Sequence, residues 1–530
     1  MRSFAGPFVS YFGRRQLNAF VFWLLAMLAA YKVSGYIVAG DNTSLALVAL
    51  VFLGGAFLIT ILNDWKMGLY FLIGWLLFED SARKFLGNNM AIYFAKDLFL
   101  AVVYLSFFIS WRQNKETRTF RPPFLIPLLA LIWFGIMQIF NPASTHIAFG
   151  LMGLRLDFFY VPLLFIGYAL IDSEKALRRF FFVNLGLIVF IAGLGIAQSI
   201  VGPRFLNPAV MAEDIRLLSE TYRVAPSSGI AVYRPTSVFV SAGRFGNLLV
   251  VGWFIVFGFT GYLLLRHRRG RIFAFLSLSI IAAACLMCAS RGVFMWSTCS
   301  GILGGAAFLW GAPWRQGEGL RVIRALQRTA LGAGLAVVLL LAAFPDAFLN
   351  RIAVYSDTLD PRNPTSELIH RTRDYPLENF VATFGYPRWT VGYGIGTASL
   401  GGQYVARFFK AIPPENAVES GYGALVLELG IGGLLLWIVM SSAIVLSAGK
   451  IVRQLKGSPL FPLAFMILLY SFVLLFPMTF IGMQPYQDFV LNAYHWLLLG
   501  ILFRLPTLAL SPQFAASNLG AYPPDAARVR

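Results

Sequence analysis

The sequence predicts an all-α membrane protein, a polytopic bundle of about fourteen transmembrane helices with two large loops outside the cytoplasm. Of the 530 residues, 58% are hydrophobic and only 13% are charged, about half the charged fraction of an ordinary globular domain. Apolar runs recur along nearly the whole chain, and many are long enough to cross a hydrocarbon core of about 30 Å. The alternation of apolar and polar residues typical of barrel strands is not visible.

The predicted spans follow from the apolar runs. In chain order they cover residues 17–39, 44–62, 66–79, 91–110, 123–140, 157–171, 180–201, 244–265, 271–289, 291–310, 328–348, 420–446, 459–480 and 488–504. We interpret the first as a span and not as a cleaved signal peptide, because its apolar run leads into Tyr31 and Lys32 without a small-residue cleavage site.

The net charge of +19 comes mostly from short basic loops between spans. These loops cover residues 111–121, 172–179, 266–271, 311–327 and 447–458. With the N-terminus inside, all five fall on one side, which the positive-inside rule makes cytoplasmic. Membrane orientation therefore accounts for the charge, and we expect the lipid bilayer as a partner and no nucleic acid.

This topology divides the chain into six segments. They are N-terminal transmembrane helices (1–201), a first extracytoplasmic loop (202–243), central transmembrane helices (244–349), a large extracytoplasmic catalytic loop (350–419), C-terminal transmembrane helices (420–505) and a disordered cytoplasmic tail (506–530). Both extracytoplasmic loops are far longer than a connector requires. The second carries seven basic and seven acidic residues, so its charges are free to serve chemistry.

Glu419 is the candidate catalytic residue, because it stands where the large loop enters the span at 420–446. An ionisable group at a membrane boundary is costly and is a functional candidate by default. If it is partly buried near the headgroups, Glu419 could act as a general base toward a hydroxyl. Glu428, about two turns deeper, is expected to form a buried hydrogen bond or to pair at the end of the span.

Four arginines are candidates for binding phosphate, because guanidinium offers a fixed fork of donors. Arg234 and Arg244 bracket a Pro-, Ser- and Gly-containing segment whose irregular backbone is tolerated only inside protein or against a polar cavity. Arg291 lies between two apolar runs with almost no loop, and Arg155 lies at the same level, with Asp157 as a candidate partner. The alternative for each arginine is a snorkelling charge.

Aromatic residues near the second loop are candidates for stacking against sugars. They are Tyr393, Trp389 and Tyr404, which could equally be interfacial belt residues. The sequence GYGIG at 392–396 superficially resembles a phosphate loop but lacks the preceding strand, so we predict a flexible turn beside a binding cleft. The CxxC pair, Cys285 and Cys288, lies in an apolar span and is interpreted as packing.

The pattern Glu419-Ser420, nine residues, Gly430, two residues, Gly433 resembles the signature of bacterial O-antigen ligases and Wzy-type polysaccharide polymerases. In that signature the first position is histidine. The arginine motifs, GYGIG and the long loop precede this pattern in the matching order, so the resemblance covers roughly residues 150–480. It implies a GT-C-like, metal-independent membrane glycosyltransferase that takes a glycan from undecaprenyl pyrophosphate and attaches it to an acceptor hydroxyl.

Carried over by position, the resemblance implies that Arg234, Arg244, Arg291 and Arg155 bind pyrophosphate and that Glu419 is catalytic. Glutamate in place of histidine favours an inverting polymerase of exopolysaccharide, capsule or O-antigen in the bacterial inner membrane. Its donor and acceptor would both be undecaprenyl-pyrophosphate-linked oligosaccharides, and chain-length regulator and export proteins would be further partners. No metal or cofactor is expected.

Two alternatives stay open at this point. An O-antigen ligase-like transferase would use a different acceptor, which the sequence does not state. A transporter or flippase of lipid-linked oligosaccharides would fit the number of spans, but transporters usually have two similar halves and midplane polar residues. Here the halves are not evidently similar, and the polar residues are concentrated on one face.

Overall fold

The computed structural model describes residues 54–113, 120–266, 270–311, 341–362, 366–399, 401–412 and 418–510, and the isolated positions 27, 34 and 327. These residues are mostly helical. The helices are α1 (Trp65–Phe85), α2 (Met90–Gln113), α3 (Leu125–Gln138), α4 (Ile147–Phe158), α5 (Leu163–Leu170), α6 (Glu174–Val201), α7 (Glu213–Ser219), α8 (Ala242–Arg266), α9 (Arg271–Met287), α10 (Arg291–Gly311), α11 (Pro345–Leu359), α12 (Tyr375–Ala382), α13 (Gly402–Phe409), α14 (Gly421–Gln454), α15 (Phe461–Val473), α16 (Thr479–Ile481) and α17 (Phe489–Ala509). Short π-helical turns cover His370–Asp374 and Leu474–Met478, and 3-10 turns cover Thr383–Gly385 and Pro485–Gln487.

Eight helical segments in the described part of the chain are long and apolar enough to cross a membrane, which indicates a membrane-embedded protein. They are Ala91–Arg112, Ile147–Leu170, Glu174–Val201, Ala242–Arg266, Arg291–Gly311, Gly421–Gln454, Phe461–Ile481 and Phe489–Ala509. The predicted count of fourteen is therefore not confirmed. The predicted span 17–39 lies outside the described residues except at positions 27 and 34, and most of 44–62 and of 328–348 lies outside them too.

The remaining predicted spans differ for physical reasons. Helix α1 replaces the predicted span 66–79 and carries buried charges along its second half. Helix α3 has 14 residues, which is about 21 Å at 1.5 Å per residue and too short for a typical span. The span predicted at 157–171 begins ten residues earlier, at Ile147, because α4 and α5 together make one segment that is long and apolar enough to cross a membrane. The described tail also stays helical beyond 505, as far as Ala509.

The chain forms two compact units. The described residues of the first are 54–71 and 99–109, where the rings of Trp65 and Phe107 meet edge to face at 5.2 Å. The second contains the remaining described residues. In its core α5 and α17 cross closely, since a Cβ on Gly167 would collide with the carbonyl of Leu497. Small residues permit such backbone approach between apolar helices.

Both long segments predicted as loops contain regular structure. The first holds α7 and a short antiparallel hairpin, β1 (Tyr222–Val224) and β2 (Ala231–Tyr233), in which Arg223 pairs with Val232. The second contains most of α11 and all of α12 and α13. Its amphipathic helices were not visible as periodicity beside the stronger apolar signal of the spans.

Helix α14 is interrupted at Gly430, whose φ of +71° and ψ of −176° suit glycine alone. The break exposes two backbone carbonyls of the helix. The O atom of Leu427 accepts a hydrogen bond from Tyr393 N (2.7 Å), and the O atom of Glu428 accepts one from Gly394 N (3.0 Å). The turn at 392–396 is thus packed against the kinked helix.

Candidate functional site

Residues 235–240 form an irregular segment that is buried throughout. The Nζ of Lys84 donates to Thr236 Oγ1 and to Ser237 O, both at 2.9 Å. Gln198 Oε1 accepts from the backbone N–H groups of Thr236 (2.8 Å) and Ser237 (2.6 Å). Side chains from two neighbouring helices therefore satisfy the polar backbone, as the prediction of irregular backbone inside protein requires. We name residues 235–240 the buried segment.

A cavity of about 260 Å³ lies beyond the C-terminal end of this segment, and we name it the basic cavity. Its lining residues include Lys96, Arg155, Tyr160, Arg244, Tyr404 and Asp488. Two of the four predicted phosphate-binding arginines thus meet here. Lys96, which the sequence analysis did not select, joins them at 1% exposure.

Each basic side chain of the cavity has a carboxylate partner. The ion pairs are Lys96 with Glu79 (2.9 Å), Arg155 with Asp97 (2.6 Å) and Arg244 with Asp80 (2.7 Å). These three carboxylates are not among the residues that line the cavity. The carboxylates pair with the cations on the side away from the cavity and fix their orientation. Such pairing is required because a buried charge is tolerated only when it is paired.

The predicted pairing of Arg155 with Asp157 is wrong. Arg155 bonds to Asp97 of α2, whereas Asp157 is buried and accepts a hydrogen bond from Gln487 Nε2 at 3.0 Å. Two residues apart on a helix, Arg155 and Asp157 point in different directions, so they cannot face each other. The predicted buried hydrogen bond of Glu428 is confirmed, because its Oε1 accepts from Ala398 N at 3.1 Å.

A second, larger cavity of about 960 Å³ shares Tyr404 with the basic cavity, and we name it the outer cavity. Asn88, Glu213, Asp214, Arg407 and Phe408 also line it. The ring of Tyr404 stacks on Tyr93 with centroids 5.9 Å apart. Tyr404 is thus the one of the three predicted aromatic residues that lines these two cavities.

The other two predicted aromatic residues pack against neighbouring rings. Trp389 meets Phe384 edge to face at 5.3 Å, and Tyr393 meets Tyr386 at 6.4 Å. Neither is among the residues that line the two cavities. Their contacts are those of packing residues within the segment predicted as the large loop.

Arg234 and Arg291 belong to a different group, which we name the arginine cluster: Arg223, Arg234, Arg291, Glu367 and Arg371. Arg223 lies on β1, Arg234 follows β2, and Arg291 begins α10 directly after a tight turn in which Ala289 has a φ of +51°. Glu367 Oε2 bonds to Arg291 Nη1 (2.5 Å) and to Arg371 Nε (3.4 Å). The cluster therefore contains four guanidinium groups and one carboxylate.

The electrostatics of the arginine cluster reflect this excess of positive charge. Burial, with the charges of Arg291 and Arg234, lowers the pKa of Arg223 to about 10. Burial also lowers the pKa of Arg234, and Arg291 adds to this effect. Burial alone would raise the pKa of Glu367, but the hydrogen bond from Arg291 outweighs burial and holds this pKa below its usual value. Arg223, with its pKa of about 10, is therefore still charged at neutral pH.

Two of these arginines also have unused donors. The Nε atoms of Arg223 and Arg234 are buried and have no hydrogen-bond partner within the described residues. A buried polar atom without a partner costs about 1–3 kcal/mol, more when the group is charged. An anion with several oxygens would supply both the missing acceptors and the missing negative charge.

Glu419 is connected to the arginine cluster through one aromatic residue. Its carboxylate accepts a hydrogen bond from the Tyr375 hydroxyl, which raises the pKa of Tyr375. The Arg371 guanidinium lies 4.8 Å from the centroid of the Tyr375 ring. The backbone N–H of Glu419 donates to Asn379 Oδ1 at 3.2 Å. Glu419 is exposed, so the partial burial assumed from the sequence is not found.

Several residues of these sites were missed from the sequence. Lys96 stands beside Asp97 in an otherwise apolar part of α2, a signal that could have selected it. Arg223 and Arg371 carried no such signal, because charges in long polar segments are common. Among the described residues, no three His, Cys, Asp or Glu side chains come together in a way that could hold a metal ion.

Comparisons with known proteins do not extend this description. The chain matches no known protein-family profile, and no curated protein matches it significantly.

Proposed function

We propose that the protein is a glycosyltransferase of the bacterial inner membrane that polymerises a surface polysaccharide. It would transfer a glycan from undecaprenyl pyrophosphate to an acceptor hydroxyl of another lipid-linked repeat unit. The observation that supports this most is the grouping of Arg234 and Arg291 in one cluster that is connected to Glu419. In this proposal the arginine cluster and Glu419 face the periplasm and both termini are cytoplasmic.

The arginine cluster would bind the donor pyrophosphate. When the bond between the anomeric carbon and the phosphate oxygen breaks, the electron pair stays on that oxygen and negative charge grows there. Guanidinium groups already fixed around it would stabilise that charge without reorganisation. The open Nε donors of Arg223 and Arg234 and the fork of Arg291 are suited to phosphate oxygens.

Glu419 would accept the proton of the acceptor hydroxyl as its oxygen attacks the anomeric carbon. Attack on the face opposite the leaving pyrophosphate inverts the anomeric configuration. The hydrogen bond from Tyr375 would orient the carboxylate for this step. The products are a glycan longer by one linkage, free lipid pyrophosphate and a proton held on Glu419, which water then takes up.

A flippase of lipid-linked oligosaccharides is the second candidate function. Buried charges in α1 and α2, such as the pair of Lys96 with Glu79, would also suit a polar path through a membrane protein. The two candidates differ in whether glycosidic bonds form, which an assay of the purified protein decides.

The test uses purified protein in proteoliposomes supplied with a lipid-linked repeat unit. We expect a ladder of polymer lengths from the parent protein. Glu419→Gln keeps the shape but removes the base, so it should lose at least about 100-fold in rate while still binding donor. Arg291→Lys keeps the charge but loses the fork and should weaken donor binding.

The matched control is Arg373→Lys, because Arg373 lies nearby on the exposed surface with 73% of its side chain accessible. It should polymerise like the parent. Parental polymerisation by the Glu419 variant would exclude the proposed base. Movement of the lipid-linked repeat across the bilayer without a ladder would favour the flippase.

A further inference from the structure

The basic cavity is a second concentration of cations that the proposed mechanism does not use. Its charges come from Lys96, Arg155 and Arg244, none of which belongs to the arginine cluster. In the chain, the buried segment separates Arg244 from Arg234. Within the described residues, each of the three cations is paired to a carboxylate of α1 or α2, and none of these carboxylates belongs to the arginine cluster.

The polar groups that line the cavity are arranged to receive an anion. The bonds from Arg244 to Asp80 use a single nitrogen, Nη1, which leaves the rest of the guanidinium fork for a ligand. Tyr160 is 3% exposed and lines the cavity, and its buried hydroxyl has no hydrogen-bond partner among the described residues. The lining carboxylate, Asp488, instead accepts from two backbone N–H groups at the start of α17.

The chemistry of polymerisation requires such a second site. In the donor, the pyrophosphate is attached to the reacting anomeric carbon. In a lipid-linked acceptor, the reacting hydroxyl lies on a sugar of the repeat unit and the pyrophosphate is attached at the other end. The two pyrophosphates are therefore held apart, and each needs its own cations. A transferase whose acceptor carries no pyrophosphate needs only one such site.

We infer that the basic cavity binds the pyrophosphate of the lipid-linked acceptor. Lys96, Arg155 and Arg244 compensate its charge, and the Tyr160 hydroxyl donates to one of its oxygens. This inference rests on the proposed function and sharpens it, because a second pyrophosphate site distinguishes a polymerase from a ligase. The cavity volume of about 260 Å³ suits a compact headgroup and is below the roughly 300–1,000 Å³ of typical small-molecule pockets.

The outer cavity is suited to the sugars of the acceptor. It shares Tyr404 with the basic cavity, so a glycan attached to a bound pyrophosphate would pass this ring. Tyr404 and Phe408 offer flat apolar faces, whereas Asn88 and Asp214 offer partners for hydroxyl groups. At about 960 Å³, the outer cavity has room for several sugar rings.

The experiment compares two acceptors with one lipid-linked donor of preformed polymer. One acceptor is the labelled lipid-linked repeat, and the other is the same labelled repeat without lipid and pyrophosphate. Tyr160→Phe is the main variant, because the Tyr160 hydroxyl has no hydrogen-bond partner in the described part of the chain that the substitution would remove. We expect the preference for the lipid-linked acceptor to fall about tenfold or more, as for a hydrogen bond to a charged group.

A second variant removes a whole ion pair, Lys96→Met with Glu79→Gln, so that no buried charge is left alone. It should lower the same preference more strongly. The control is Tyr168→Phe, whose ring stacks on Phe120 at 4.0 Å outside the cavity and should leave the preference unchanged. Titration of inorganic pyrophosphate into each purified protein provides a readout that does not depend on activity, and Tyr160→Phe should weaken one of two binding events.

The outcomes separate the inference from the proposed function. Equal use of both acceptors by the parent, or an undiminished preference in both cavity variants, overturns the inference while leaving a glycosyltransferase. A single pyrophosphate-binding event in the parent also overturns it. Failure of the parent to form any glycosidic bond, with two binding events present, contradicts the proposed function instead.

Discussion

Replacing Gly430 with alanine should destabilise the fold where α14 meets the turn at 392–396. The φ of +71° and ψ of −176° lie in a region that glycine alone adopts readily. A Cβ there would also collide with the carbonyl of Thr390 and come within 2.8 Å of the Val391 carbonyl carbon. Either α14 straightens or the turn moves away, and both changes break the same contacts.

The magnitude follows from two contributions. Forcing alanine into this backbone conformation costs about 1–3 kcal/mol. Displacing the turn removes the hydrogen bonds from Tyr393 N and Gly394 N, worth about 0.5–1.5 kcal/mol each. The free energy of unfolding of this region should therefore fall by about 2–6 kcal/mol.

The matched control is Gly432→Ala, two residues further along the same helix. A Cβ at Gly432 would meet only Phe134 Cζ at 3.6 Å, an ordinary contact, and its backbone is helical. Alanine there should be neutral or stabilise by up to about 1 kcal/mol. Thermal unfolding in detergent, with limited proteolysis at 388–396, measures both variants. Equal stability of Gly430→Ala and the parent, or equal loss in both variants, would refute the reasoning.

Three further perturbations test other contacts. Gln198→Ala leaves two backbone N–H groups of the buried segment without an acceptor, so it should cost about 2–6 kcal/mol and speed amide exchange at 235–240. Ser420→Ala removes the N-cap of α14 and should lower thermal stability by about 1 kcal/mol. The pKa of Glu367 is lower in the folded protein than in the unfolded chain, so its pairing with Arg291 stabilises the fold at pH values above its ordinary pKa of about 4.3. This stabilisation is lost as the pH falls through the lowered pKa of the folded state. Proteolysis at 366–371 should then accelerate, and Glu367→Gln should remove this pH dependence.

Each of these three predictions would be contradicted by a specific result. Unchanged exchange at 235–240 in the Gln198 variant would mean that water replaces the lost acceptor. Full stability of the Ser420 variant would mean that the cap is not needed beside the packed start of α14. A pH dependence that persists in Glu367→Gln would assign it to another carboxylate.

The helical membrane character was predictable because it depends on composition and on the length of apolar runs, which the sequence states directly. The tight turn before Arg291 was equally readable, since two apolar runs meet there with almost no polar residue between them. The number of spans was less accessible. Helix α1 shows why, because its buried charges are tolerated only through partners that the sequence does not identify.

The candidate site was predictable as a set of residues but not as an arrangement. All four arginines lie in basic sites, yet Arg155 and Arg244 meet in a cavity while Arg234 and Arg291 meet elsewhere. That division depends on contacts between residues far apart in the chain, such as Arg291 with Glu367. The exposure of Glu419 was similarly unreadable, because it depends on how α12 packs beside the start of α14.

The buried segment also sets a limit of length. Arg234 and Arg244 are ten positions apart in the chain, and an extended chain advances at most about 3.3–3.6 Å per residue, so their Cα atoms are less than about 36 Å apart. The turn at Ser237, with a φ of +51°, shortens this distance further. Between the two arginines, Lys84 and Gln198 hold the backbone at Thr236 and Ser237 by hydrogen bonds. The length of the chain between the two arginines therefore sets an upper limit on the distance between their Cα atoms, which any molecule that contacts both must match.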